Sequence, residues 1–533
     1  MHNATRFLLS CSLIALFLSS AASAQSRQAP PGMFKDLNDE IAGDAILIHG
    51  KQLFIDDYII GELDGATKTR HQPIKHPKNP LMVPDKPWEK TFLYSSVIFD
   101  QAEGTYKMWY AAWSADQKKQ SLCYATSADG IEWRKPLTMP SGSQEQSNVV
   151  FGLTHEFNCA GVFKDPADPD PMRRYKMMYS DYPDKTAKTA STSVAFSPDG
   201  IHWTPHPKNP LIPFSDSHNC PFWDVQRNRY VAYLRFGPPN DRIISRIESE
   251  DFDHWSPKLT VLRAGILDQP FSTVLYQMEV LPYQGMFLGL ISTYHGETIK
   301  PIPENETEWK DKLDVQLAFS RNGVTWSRVV DAGWLKDARE KSIKRSPESW
   351  KRMTTEAAFI PFGEHGRDWD WGAIYPLQGP VVIGDEIRIY YTGHTGRHWG
   401  SYHGDKNRSS GIGVATLRLD GFVSLNAGDE AGTLTTKPLV FIGDTLVVNA
   451  NAIGGSLTVE ALDAEGKAIE GFGIADCTPI TTDSVRHVLK WKDNPDCHLL
   501  QGRPIKLRFH LKNAKLYAFE PRIRHNHYLQ SYE

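Results

Sequence analysis

Ser127-Ala128-Asp129-Gly130-Ile131-Glu132-Trp133 is the stretch whose reading decides the fold of this chain. It reads as the end of one strand, a tight turn and the start of the next. Gly tolerates positive φ, and Asp bonds its own backbone two residues on. The Trp that follows is a large apolar anchor able to pin the turn against a neighbouring sheet. The stretch recurs as Ser197-Pro198-Asp199-Gly200-Ile201-His202-Trp203 and as Ser320-Arg321-Asn322-Gly323-Val324-Thr325-Trp326. A weaker copy is Ser249-Glu250-Asp251-Phe252-Asp253-His254-Trp255, and a degenerate one is Leu419-Asp420-Gly421-Phe422. One such turn means a hairpin, whereas several along one chain mean a repeated supersecondary unit.

Working outward, each turn closes a strand set. An aromatic strand precedes it, as in Tyr106-Lys107-Met108-Trp109-Tyr110, Tyr175-Lys176-Met177-Met178-Tyr179 and Tyr230-Val231-Ala232-Tyr233-Leu234. Met286 to Leu290 and Ile387 to Tyr391 continue the series. A short strand stands before each of these. The hexapeptide His76-Pro77-Lys78-Asn79-Pro80-Leu81 returns unchanged at 206–211 and marks the lead into a unit. A repeated four-stranded antiparallel unit is the blade of a β-propeller. The fold class expected is therefore all-β: a five-bladed β-propeller over 46–428, followed by a C-terminal β-sandwich over 429–533. The early strand near Phe54 is expected to complete the last blade. The sandwich rests on short alternating strands such as 456–462 and 505–511, with no further Asp-Gly-x-x-Trp turn. The charged stretch from Lys336 to Arg352 reads as a short helix in a long connection.

Composition narrows the function classes. A formal net charge of −4 offers no polyanion-binding surface, so no nucleic-acid partner is expected. Residues 1–24 read as a secretory signal peptide: Arg6, an apolar run from Phe7 to Leu18, then Ala22-Ser23-Ala24. Residues 25–45 are an exposed lead-in. The mature protein is expected to be secreted or periplasmic, without a membrane anchor after cleavage. Five cysteines remain, so at least one is unpaired within the chain; Cys477 and Cys497 are close enough in sequence to bridge. No CxxC or HExxH motif is present, and no metal or cofactor is expected.

The repeated turns, the Asn-Pro-Leu lead-ins and the Tyr-Lys-Met-Trp-Tyr strand together resemble the five-bladed glycoside hydrolases of families 32, 43, 68, 117 and 130. The Asn-Asp-Pro-Asn-Gly, Arg-Asp-Pro and Glu-Cys motifs of family 32 are absent. The resemblance implies a carbohydrate substrate and carboxylates at the inner-strand starts around a central pocket. Glycoside hydrolysis needs two carboxyl groups, one to protonate the leaving oxygen and one as base or nucleophile. Residues that serve chemistry should differ between blades, so the repeated Asp129 and Asp199 are set aside. The catalytic candidates are Glu89, Asp216 and Glu156, each just upstream of a first strand. Candidate sugar-binding residues are Asp368, Trp369, Asp370 and Trp371, together with His155, His218 and Asp57. Asp268 and Glu279 of the fourth blade, and His394, Arg397 and His398 at the rim, are secondary candidates. A non-catalytic carbohydrate-binding propeller is the alternative, and a protein-interaction propeller the third reading. Convergence of carboxylates on one cavity separates the first from the others. Intact-mass measurement of exported protein should place the new N-terminus near Gln25; a mass that retains the apolar run contradicts the signal-peptide reading.

Overall fold

Three separate four-stranded antiparallel sheets, each strand pairing with its sequence neighbour, are followed by one ten-stranded sheet in which a fourth and a fifth strand set are joined by a parallel pairing at Leu313 and Ala373. The computed structural model describes residues 45–524 apart from 115–118, 139–145, 153–156, 182–189, 238–240, 342 and 406–407. The first unit is Thr91–Asp100, Thr105–Trp113, Gln120–Ser127 and Val149–Phe151. The second runs Asn158–Lys164, Tyr175–Asp181, Ser191–Ser197 and Thr204–Pro205. The third is Asp216–Asp224, Arg229–Phe236, Ile243–Ser249 and Leu259–Leu262. The fourth begins with Thr273–Tyr283, Met286–His295 and Lys312–Ser320, and carries Ser327–Arg328 at its edge. The fifth uses Ala373–Pro376, Glu386–His394 and Ser410–Arg418. Its outer strand is Ile74–Lys75, from far earlier in the chain.

The turn works as its residues dictate. Ser127 Oγ accepts from Gly130 N at 2.8 Å, and Asp129 Oδ1 accepts from Ile131 N and Glu132 N, each at 2.8 Å. Ser197 and Asp199 repeat the arrangement at the same distances. Gly130, Gly200 and Gly323 all sit at positive φ. Each then receives a hydrogen bond from the preceding unit. Trp109 Nε1 donates to Gly200 O at 2.6 Å, and Tyr233 OH to Gly323 O at 2.6 Å. Tyr390 OH, in the fifth unit, donates to Gly130 O of the first at 2.9 Å. In the weaker copy Phe252 takes the glycine position at positive φ and buries its ring against Phe163 of the second unit. Tyr283 of the fourth unit donates to Asp420 Oδ1 in the degenerate turn at 2.5 Å. The repeated hexapeptide also does one job twice. Asn79 pairs through its side chain with both backbone groups of Val414, and Asn209 does so with Val194.

The N-terminal strands depart from expectation. Gln52–Leu53 pairs with Ala514–Arg522, not with the fifth unit, which Ile74–Lys75 completes instead. Ile60–Asp64 pairs with Gly432–Thr436, and Thr67–Arg70 with Val423–Ala427. Residues 46–70 thus belong to the C-terminal sheets, as does Val423–Ala427. The physical reason is the core they share: Phe54, Ile59 and Leu425 are buried with Leu446, Val459, Phe509 and Phe519 from both C-terminal sheets. The charged connection forms two helices, Ala332–Glu340 and Pro347–Arg352. Cys477 and Cys497 are both unbridged, as are Cys123, Cys159 and Cys220.

Trp203 is 6% exposed and Trp326 9%, whereas Trp133 is only half-buried. Trp203→Ala and Trp326→Ala should therefore each cost roughly 3–5 kcal/mol of stability, and Trp133→Ala less. Gly200→Ala should also destabilise, because a methyl at that positive φ meets the Trp109 ring. Chemical denaturation of the four variants checks this; parental midpoints would contradict the anchor role.

Candidate functional site

Four of the five first strands break register near their beginnings. The irregularities lie between Phe92 and Ser95, Asn158 and Ala160, Asp216 and Cys220, and Leu275 and Gln277. A bulge re-aims the side chains it carries and is common beside active sites. Here the re-aimed residues include Tyr94, Cys159, His218 and Tyr276. Tyr94, Cys159 and Tyr276 form one buried cluster with Tyr294 and Tyr375. Tyr94 OH donates to Tyr276 OH at 3.0 Å, and the Tyr375 ring meets the Tyr94 and Tyr276 rings at 5.5 and 5.9 Å. Direct bonds tie the first strands together. Val162 N donates to Ser96 Oγ at 2.9 Å, and Gln378 Nε2 to Pro221 O at 2.6 Å.

His218 lies within this cluster. Its ring stacks on Tyr94 at 5.6 Å, Nε2 is 2.7 Å from Ala160 O, and Nδ1 is 2.6 Å from Glu279 Oε1. A carbonyl can only accept, so Nε2 carries a hydrogen, and a further proton must lie between Nδ1 and Oε1 whichever atom owns it. Both side chains are fully buried. The pair therefore braces the second, third and fourth units and does not face solvent.

Above the tyrosines lies a layer of arginines. The Arg235 guanidinium sits 4.4 Å from the Tyr276 ring centroid, and Arg242 sits 5.3 Å from the same centroid. Arg235 is ion-paired with Asp216, and Arg242 with Glu297, whose second contact is 2.8 Å. Burial opposes the charge on Arg235, but Asp216 and Tyr276 outweigh it and hold the guanidinium charged. Asp216 is 49% exposed and Glu297 20%. A cavity of about 620 Å³ opens here, lined by Asp241, Arg242, Asp268, Thr273, Glu297 and Trp399. A second recess of about 370 Å³ is lined by Phe214, Asp216, Arg235 and Phe236. The two flank one Arg–Tyr–Arg layer, with a carboxylate on each side. This arrangement can present acid groups, guanidinium donors and aromatic faces to a polyhydroxylated ligand.

Of the two catalytic candidates among the described residues, Asp216 reaches this layer. Glu89 does not. Its buried carboxylate accepts from Tyr110 OH and is paired with Lys135, each at 2.6 Å, with the backbone of Asp85 at 3.1 Å. It is a saturated brace, closed to substrate. Glu156 and His155 lie outside the described residues. Asp370 is buried against Lys75 at 2.6 Å and Tyr391 OH at 3.0 Å, and Trp369 stacks on Tyr391. Asp368 caps a loop through Glu364 N at 2.7 Å. Trp371 is buried under His365. Asp57 is exposed on the C-terminal sheets, paired with Lys68. Asp268 lines the cavity with both oxygens held by Arg328 at 2.8 Å. His394 is fully buried and His398 half-buried by surface area, and desolvation and then Arg408 push both well below the usual histidine range, leaving them neutral. Glu297, Arg235, Arg242, Tyr276 and Trp399 were not singled out by sequence. Glu297 follows a second strand, in His295-Gly296-Glu297, whereas the carboxylate pattern looks only before first strands. His394 ends the fifth unit's second strand as His295 ends the fourth's, and is the signal that second-strand ends also matter.

No known protein family's sequence profile matches the chain, and no curated protein is similar in sequence. Solved structures overlap it at low depth. One is an N-acetylgalactosamine deacetylase from F. plautii in complex with blood group B trisaccharide, at 14% identity and a TM-score of 0.42, covering 67% of this chain and 97% of that one. Another comes from work on glycoside hydrolase family 130, at 14% identity and a TM-score of 0.40, covering 68% and 95%. The Bombyx mori family 32 β-fructofuranosidase with sucrose overlaps at 11% identity and a TM-score of 0.39, covering 85% and 94%. Overlap this shallow carries no argument; the functional reading rests on the geometry.

Glu89→Gln should lower stability by about 1–3 kcal/mol, since Lys135 and Tyr110 lose a charged partner. It should leave ligand binding at the Arg235–Arg242 layer unchanged. Melting and calorimetric binding measured together test this; a stable variant with lost binding would return Glu89 to the site.

Proposed function

We propose that the five units close as a five-bladed β-propeller, and that the protein is a secreted or periplasmic glycoside hydrolase acting at its central end. The observation that carries this is the pair Asp216 and Glu297. Two carboxylates from different units lie on either side of one tyrosine face, beside open cavities, each held by a buried arginine. Glycoside cleavage uses two such groups flanking the scissile bond. Trp399 in one cavity and Phe214 in the other offer flat apolar faces to a sugar ring, and the guanidiniums offer donors to its hydroxyls. In this reading the carboxyl that loses its arginine when sugar binds takes up the proton and donates it to the leaving oxygen. The other stays ionised as base or nucleophile. The catalytic unit is then the chain from about 71 to 422, resting on a sandwich built from both ends of the sequence.

A non-catalytic carbohydrate-binding role is the second reading. It is favoured by one observation: both carboxylates are already ion-paired. A polysaccharide screen that follows both binding and new reducing ends separates the two. On the glycan found, Asp216→Asn and Glu297→Gln should each lose about 10²–10⁴ in turnover with melting temperatures near the parent's. Folded variants with parental turnover would reject the pair, and binding without new reducing ends would favour the second reading.

A further inference from the structure

Beside the tyrosine cluster lie two buried cations, Lys312 and Arg397, and a half-buried third, Arg408, with too few acids. Lys312, 3% exposed, begins the third strand of the fourth unit. Its Nζ is 5.1 Å from the Trp371 ring and 5.4 Å from the Phe362 ring, and among the described residues its one side-chain hydrogen-bond partner is His365 Nδ1 at 3.2 Å. Arg397, 6% exposed, lies 5.4 Å from the same Trp371 ring. It pairs with Asp405 at 2.6 Å and donates to Thr307 O at 3.2 Å, while its buried Nε has no partner. Arg408 packs with Asp405 around Gly396 and contacts His394 Nδ1 at 3.3 Å. Among the described residues its Nε is buried without a partner. Among the described residues neither Lys312 nor Arg408 has a carboxylate within ion-pair distance. Asp405 thus pairs with Arg397 alone, and Lys312 feels Glu308 and Asp405 only from farther away.

Such an excess is costly. An unpaired buried charge is destabilising by several kcal/mol, and an arginine cannot shed its proton. Lysine can, and burial followed by Arg397 pushes the Lys312 ammonium down to about 7. An arriving anion would satisfy the idle donors and restore the charge balance together. His365, exposed and stacked on Trp371 at 4.2 Å, is the outer wall over Lys312. The neighbouring cavity is close: Asp311, next in the chain to Lys312, accepts from the backbone N of Trp399 at 2.7 Å, and Trp399 lines that cavity.

We infer that Lys312, Arg397 and Arg408 form an oxyanion site that takes a carboxylate, sulfate or phosphate group. The group can be a free inorganic anion or the acid group of a saccharide held in the neighbouring cavity. The inference does not depend on whether the protein cleaves sugars. It is tested on the mature chain by calorimetry and thermal melting with sodium sulfate, sodium phosphate and trigalacturonate, against sodium chloride at matched ionic strength. Sulfate and phosphate stabilise proteins generally by exclusion from the surface, so the difference from Lys312→Met and Arg408→Gln is the readout. The parent should bind at least one probe, and both variants should bind it at least about tenfold more weakly. Lys312→Met should also melt above the parent in chloride, because it removes an unpaired buried charge. Binding of the inorganic anions identifies a free-anion site, and binding of trigalacturonate alone identifies a saccharide-borne acid. No binding of any probe, or equal binding by parent and variants, overturns the inference. If Lys312→Met does not fold, Arg408→Gln decides alone.

Discussion

The hydrogen bond from an aromatic side chain to the carbonyl of a turn glycine is the contact on which the rest of the structure depends. Trp109 to Gly200, Tyr233 to Gly323 and Tyr390 to Gly130 each join one unit to the next. The bond needs two things at once: a turn residue free to take positive φ, and no side chain where the partner ring lies. Glycine meets both. The Asp or Asn before it fixes the turn by accepting two backbone amides, so the carbonyl points in one direction only. The last of these contacts runs from the fifth unit back to the first, and further bonds tie first strands together. That geometry in turn creates the place where Tyr94, Tyr276 and Tyr375 meet.

The middle of the chain was legible in sequence because this contact has a sequence signature. Ser-x-Asp-Gly-x-x-Trp states the turn chemistry outright, and the aromatic strand supplies the donor. The N-terminal strands were not legible for the opposite reason. Nothing in Gln52-Leu53-Phe54 says which sheet edge it joins; that is set by the core shared among Phe54, Phe509 and Phe519, far apart in the chain. The candidate site was legible in part. Asp216 and His218 stand at the register break of the third unit, and both reach the central cluster or its rim. Glu89 and Asp370 stand at comparable positions in sequence, yet each is consumed by a lysine, Lys135 and Lys75, that no local pattern announces. Glu297 escaped because it follows a second strand.

The centre of the molecule is polar as well as aromatic, and its charges are arranged in two ways. Around Tyr276 every arginine has a carboxylate, and the layer is balanced. Around Trp371 the cations outnumber their acids. Burial strengthens both effects, since a low local dielectric rewards paired charges and penalises unpaired ones. The first arrangement suits a ligand that exchanges hydroxyls for ion-pair contacts. The second suits a ligand that brings charge of its own.

The central claim is that the working site is the layer where Arg235 and Arg242 meet Tyr276. A crystal structure of the protein with a bound oligosaccharide tests it most directly. The account predicts a sugar ring in contact with Trp399 or Phe214, with one carboxylate oxygen of Asp216 or Glu297 within hydrogen-bond distance of a glycosidic or hydroxyl oxygen. A sugar bound only on the outer strands of the units, or against the C-terminal sheets, would contradict it.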